Sequence, residues 1–260
     1  MKTIIQLFIL LAFTIGSAQN YCGTISYTQT KDLGMPITEN YVLKFDNKSS
    51  FAIEDNVSEL EGGNKTEDEL NDRGSTNRTN TTIIARTNTT PKFYLNQKES
   101  FYFRDNFSNN ELLVKESLKP FNWEIIEDTK KIGKFVCQKA TTTFRGRLYT
   151  AWFTNEIPVP FGPWKFSGLN GLILEIYDTD KVLHIVTNTI NIKQGEGCNI
   201  NTENLNLGTA MNIESYLESK ETLINAEFAK LASRLPKGAK IPKWDKNCSD
   251  CNDRLEMTYQ

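Results

Sequence analysis

A recurring alternation of apolar and polar residues, in short segments each closed by a turn signal, most constrains how this chain folds. It runs through residues 23–30, 41–45, 50–54, 92–96, 100–104, 112–116, 123–127, 134–144, 147–154, 172–177 and 182–192. Period two is what a strand half-buried on a sheet requires. Asp46-Asn47-Lys48, Asn96-Gln97-Lys98, Arg145-Gly146 and Asp178-Thr179-Asp180 lie between segments and supply turns. Strands joined this closely pair antiparallel, because a parallel neighbour needs a long crossover. The order of elements, without alternating helices, excludes a doubly wound nucleotide-binding sheet. The expected fold is mainly β: a strongly curved antiparallel sheet or half-barrel. A single helix begins behind Asn212 as cap, with Ile213, Tyr216, Leu217, Leu223, Ile224, Phe228 and Leu231 at helical spacing. It is expected to end before Pro236 and to pack across the concave face of the sheet.

The two ends of the chain and one insertion stand apart from this pattern. Met1 and Lys2 followed by the apolar run 4–15 and by Gly16-Ser17-Ala18 read as a secretory signal over 1–18. The run falls short of the ~20 residues that cross a bilayer, so the mature chain is expected to be soluble, without a transmembrane span. The residues ahead of Cys22, Gln19-Asn20-Tyr21, do not match a lipoprotein signal. Residues 19–260 then form one β-rich domain. Its 61–91 segment, dense in Asn, Thr, Asp and Gly, reads as a polar surface loop. An irregular tail begins near 236. Lys and Arg number 30 against 32 Asp and Glu, for a net charge of -2, so no whole-molecule field exists to hold nucleic acid.

Five cysteines are present in an exported chain, a setting that permits bridges. Cys137, in Phe135-Val136-Cys137, has the pattern of a buried strand and reads as an inert core thiol. Cys248 and Cys251 have redox or metal spacing, but Asp245, Asp250 and Asp253 around them raise a thiol pKa instead of lowering it. The expectation is a structural bridge in the tail, drawn from Cys198, Cys248 and Cys251, while the sequence itself does not choose among pairings.

Between two strands the chain passes through Pro158, Pro160 and Pro163, which remove ladder donors and stop pairing. It carries Ile157, Val159, Phe161, Trp164 and Phe166 out of the sheet, and Gly168 and Gly171 permit a sharp return into Leu172-Ile173-Leu174. Such a stiff apolar bend is either a plug that closes the open end of a curved sheet or the lip of an apolar pocket. Ile157, Pro158, Phe161, Trp164, Phe166 and Leu169 are its candidate contact residues under both readings.

This same region resembles the GLPGLI family of exported Bacteroidota proteins. The matching pieces are Trp123-Glu124-Ile125, Ile132-Gly133, Cys137-Gln138-Lys139-Ala140, Gly146-Arg147, Ala151-Trp152-Phe153, Ile157-Pro158, Gly162-Pro163-Trp164-Lys165-Phe166 and Gly168-Leu169-Asn170-Gly171-Leu172-Ile173. Asn170 stands where the family name has proline, and asparagine tolerates turn conformations. The resemblance implies an exported, envelope-associated protein and brings no catalytic residues with it. The strand pattern is also similar to that of periplasmic lipoprotein carriers, a likeness of fold alone.

Little points to chemistry. His184, the single histidine, sits in a strand and reads as structural; no nucleophile elbow, phosphate loop or zinc helix occurs. Arg147 is expected to pair with Glu156 or Glu175. No cofactor and no metal site is expected. The expected function is a non-enzymatic envelope binding module for a lipid or other apolar ligand. The alternative is a structural or interaction protein with a filled core that meets an envelope protein, and a hydrolytic enzyme ranks third.

Overall fold

The computed structural model describes residues 21–34, 36–55, 90–97, 100–107, 109–194, 200–234 and 255–256. The signal segment, nearly all of the 61–91 insertion, Cys198, Cys248, Cys251 and most of the tail therefore lie outside the described residues. Each predicted alternating segment is a strand. β1 (Tyr21–Asp32), β2 (Pro36–Phe45), β3 (Ser49–Glu54), β4 (Phe93–Gln97), β5 (Ser100–Phe107) and β6 (Asn110–Glu116) form a first meander. β7 (Glu124–Ile132), β8 (Phe135–Phe144), β9 (Arg147–Thr154), β10 (Leu172–Asp178) and β11 (Leu183–Gln194) form a second. All pairings between named strands are antiparallel, and the two meanders join into one 11-stranded sheet through β1 against β11. The register there runs from Tyr21 opposite Gln194 to Lys31 opposite Leu183, with a bulge at Ser26 and Tyr27.

This order forces the sheet to curl. β6 and β7 are its two edges, yet only residues 117–123 connect them. A flat sheet would separate the edges by ten strand spacings, about 48 Å, while the linker reaches at most about 29 Å. The contacts agree: Thr142 of β8 donates to the Asn122 carbonyl at 3.0 Å, and Glu116 at the end of β6 meets Arg145 of the β8–β9 turn. The curled sheet stays open.

Burial follows the period of two. Ile25 and Tyr27, Leu43 and Phe45, Tyr149 and Ala151, Leu172 and Leu174, and Leu183 and Ile185 point into one apolar cluster. Phe101-Tyr102-Phe103 breaks the alternation because both faces of β5 are covered. Phe101 and Phe103 pack with Val114, Tyr216 and Leu217 on one side; Tyr102 packs with Phe93, Leu95 and the 3-10 turns around Leu205 and Leu207 on the other.

The helix, α1 (Ile213–Ala232), starts where Asn212 Oδ1 accepts from the Ser215 amide at 2.8 Å, satisfying one of the free N–H groups of its first turn. It lies over β5 and β6 at one end of the sheet and not across its middle, because the proline-rich bend fills the middle. Of its predicted apolar stripe, Tyr216 and Leu217 are buried, while Leu231 is exposed. No helix among the described residues is long and apolar enough to cross a membrane.

Candidate functional site

The site is built on the bend that interrupts the sheet between β9 and β10. Its three prolines end strand pairing, and the backbone then bonds to itself: Leu172 N–H to the Ile157 carbonyl at 3.0 Å, Ile173 N–H to Phe161 at 3.0 Å, and Gly168 N–H to Pro160 at 3.0 Å. Ile157, Phe161, Trp164, Phe166 and Leu169 are all buried in the main cluster, whereas Pro158 and Asn170 face out. Phe166 is the centre of an aromatic group. Its ring lies 4.7 Å from that of Tyr149, 5.4 Å from Phe121 and from Trp164, and 5.9 Å from Phe144. Trp123 closes the group by donating its indole N–H to the Ser167 carbonyl at 2.9 Å.

The return motif uses its glycines for different reasons. Gly168 has φ of +92°, and a Cβ there would meet nothing nearer than the Trp123 indole nitrogen at 3.9 Å, an ordinary contact, so its need is conformational. Gly171 lies against the β9 backbone, where a Cβ would stand 2.3 Å from the Thr154 carbonyl oxygen, so its need is steric. Trp164 adopts φ of 55°, a left-handed conformation that is costly for a bulky residue. The next side chain, Lys165, reaches β5 and β6.

Lys165 is fully buried, and its amine lies 2.8 Å from Glu116 and 2.6 Å from Glu256. Arg145, at φ of 47° in the β8–β9 turn, ion-pairs with the same two carboxylates. The rings of Phe103 and Trp164 flank the amine at 5.0 and 5.5 Å. Burial pushes the Lys165 pKa down to about 8, Glu256 opposing and Arg145 adding to the fall. Burial alone would raise the Glu256 carboxyl, but Lys165 and Arg145 outweigh it and hold that group below the usual carboxylate range.

Beside this cluster opens a cavity of about 430 Å³. Trp164 and Lys165 form one wall, Phe103, Arg104 and Asp105 of β5 another, and Tyr216, Lys220, Ile224 and Phe228 of α1 a third. The four helical residues recur at every fourth position and so lie along one face. Lys31, Leu33, Lys92, Tyr94, Leu255 and Glu256 complete the rim. Each cation of the lining meets a carboxylate. Lys31 and Lys92 hold Glu39 at 2.6 and 2.7 Å, Arg104 holds Glu111 at 3.0 Å, and Lys220 holds Asp105 at 3.1 Å, which also accepts from the Tyr216 hydroxyl at 2.7 Å. Burial opposes ionisation of Glu39, yet the two lysines prevail and bring its pKa down to about 2.

The bend is visible in the sequence, but the polar residues that meet there are not marked by any motif. One signal was present: Glu116 follows Leu112 and Val114 at the core-facing parity of β6, so its carboxylate needed a buried cation. Arg147 pairs not with Glu156 or Glu175 but with Asp178 at 3.3 Å, and its Nε donates to the Leu255 carbonyl at 3.1 Å. The reason is parity: Arg147 points inward with Tyr149 and Ala151. Asp178 also accepts the Leu183 N–H at 2.6 Å, which ties the β10–β11 turn. His184 is half-buried and meets Glu175 at 3.0 Å. Cys137 is a buried free thiol whose pKa burial raises to about 11. Cys22, absent from the expected bridge, is disulfide-bonded to a partner outside the described residues.

None of the curated proteins compared matches the chain. Among solved structures, PNGF-II in a P21 crystal form is similar at 16% identity and a TM-score of 0.48, over 77% of this chain and 33% of that one. The same protein in a C2 form gives 14% and 0.45, over 75% and 30%. An uncharacterised conserved protein from Thermus thermophilus gives 7% and 0.33, over 73% and 90%. The chain thus spans about a third of the length of PNGF-II. The sequence model of the N-glycanase peptide N-terminal domain matches residues 71–216, from ahead of β4 to the first turn of α1 and more than half of the chain. The chain therefore belongs to the family of the N-glycanase peptide N-terminal domain.

Proposed function

We propose that this domain is a non-enzymatic glycan-binding module that works outside the cytoplasm. The observation that carries the reading is the cavity beside Lys165, where aromatic rings alternate with charged groups that are already paired. A pyranose ring offers an apolar face and a circle of hydroxyls that both donate and accept. Flat rings such as Trp164, Tyr216 and Phe228 suit the first, and matched ammonium and carboxylate groups suit the second. A lipid chain suits this cavity less well, because it would strip water from charged groups and give nothing back. The family name, with its N-glycanase, supports a glycan as ligand, and the likeness to exported GLPGLI proteins supports the location. Burial of the bend favours one second reading, a filled scaffold that presents its outer surface to an envelope protein.

Calorimetric titration of the mature chain with a neutral biantennary N-glycan tests the proposal. Binding is expected, and Phe228→Ala, a change at a half-buried helical position, is expected to weaken it about tenfold, or 1.4 kcal/mol, with the melting temperature unchanged. Silence toward the glycan, together with a lipid in an organic extract of the purified protein, would replace the glycan with an apolar ligand.

A further inference from the structure

We infer that Lys165 in the wall of this cavity and Arg145 behind it form a carboxylate seat, that Glu256 occupies the seat from within the chain, and that the ligand which displaces it is an acidic sugar. The inference rests on the glycan reading for the word sugar, and on the geometry for the word acidic.

The seat is a closed set of charges. Arg145 and Lys165 face Glu116 and Glu256, two cations against two carboxylates. The members are not equivalent. Glu116 belongs to β6, is held by the strand ladder, and keeps 2% side-chain exposure. Glu256 belongs to no strand or helix, keeps 11% exposure and lines the cavity, whereas Glu116 does not. Among the described residues its side chain bonds only to Arg145 and Lys165. Of the two carboxylates it is thus the one that a molecule in the cavity can reach.

Charge balance decides what can replace it. With Glu256 withdrawn, two buried cations share a single carboxylate, and an uncompensated buried charge is strongly unfavourable. A neutral sugar cannot restore the balance. A carboxylate can, since the guanidinium and the ammonium both donate to one carboxylate oxygen of Glu256, Oε1, which another carboxylate reproduces, and the exchange leaves the net charge of the site unaltered. The chemistry that fits is a uronic or sialic acid whose carboxylate takes the place of Glu256 while its ring lies toward Trp164.

The test uses the full mature chain and its Glu256→Ala variant. In thermal unfolding, sodium acetate is compared with sodium chloride at equal ionic strength. Acetate is expected to raise the melting temperature of Glu256→Ala by several degrees over chloride and to leave the wild type unmoved. In titrations, Glu256→Ala is expected to bind a sialylated N-glycan about tenfold tighter than the wild type does, with no change toward the desialylated glycan. No advantage of acetate over chloride, or equal gains for both glycans, overturns the seat. So does a variant that stays unfolded in acetate, since a position that only a tethered carboxylate can fill is a strut. Selective rescue by acetate with neither glycan bound supports the seat and overturns the glycan reading instead.

Discussion

Gly168 and Gly171 flank the same short turn, and their substitutions separate two kinds of glycine requirement. Gly168→Ala imposes a left-handed backbone on an L-residue without a clash, a cost of about 1–2 kcal/mol. Gly171→Ala drives a methyl group into the Thr154 carbonyl, and a strand backbone cannot step aside as a flexible side chain can. It is expected to destabilise more than Gly168→Ala, and urea unfolding of the two variants ranks them. Asn170 shows why the motif tolerates a residue other than proline: its side chain faces solvent, and the bend is held by backbone hydrogen bonds on either side. Glu39 gives a second residue-scale prediction. Its folded pKa of about 2 lies below the ordinary 4.5, so its pairing with Lys31 and Lys92 adds stability above pH 4.5 that is lost as pH falls toward 2. The full difference is on the order of 3 kcal/mol. Glu39→Gln should flatten the stability profile across that window in denaturant titrations repeated at each pH.

The bend between β9 and β10 acts as an element although it contains almost no regular structure. Its apolar side chains enter the core, and its one buried charge reaches across to β6. Phe166→Ala removes the centre of the aromatic group and is expected to cost about 3–5 kcal/mol, as large-to-small core changes do. Lys165→Met leaves Glu116 and Glu256 with Arg145 alone, and breaking a buried ion pair from one side costs on the order of 3–5 kcal/mol. Thermal unfolding measures both. A cavity lip would show the opposite behaviour, with stability kept and ligand lost. The helix also splits along its length. Tyr216 and Leu217 seal β5 and β6, while Ile224 and Phe228, farther along the same face beyond Lys220, line the cavity. Tyr216 belongs both to the β5–β6 cluster and to the cavity wall, so its loss would mix stability with binding, whereas Phe228 tests binding alone.

At the scale of the molecule, two meanders become one sheet because the first strand pairs with the last. β1 is flanked by β2 on one side and β11 on the other, so every other strand is ordered outward from it. The short β6–β7 linker then draws the outer edges together, and the groups that meet across the curl are those of the carboxylate seat. Cys22 lies in β1, is buried and is disulfide-bonded. Cys22→Ser is expected to lower stability by about 2–5 kcal/mol, whereas Cys137→Ser changes no cross-link. Guanidinium unfolding with and without reductant compares them.

The positions of the described strands, the proline-rich exit from the sheet and the cap of the helix were legible in the sequence, whereas the choice between plug and lip for the bend was not. Each legible feature depends on periods of two or about four residues, on missing amide protons or on a single capping side chain, which are local properties. The joining of β1 to β11, the place of the helix at one end of the sheet, and the meeting of Glu116, Arg145, Lys165 and Glu256 were not legible. Those residues are far apart along the chain, and alternation states only that a side chain points inward, never which inward-pointing group it will face. That partner is chosen when the sheet curls, and the curl is set by which strands pair and how short the link between its edges is.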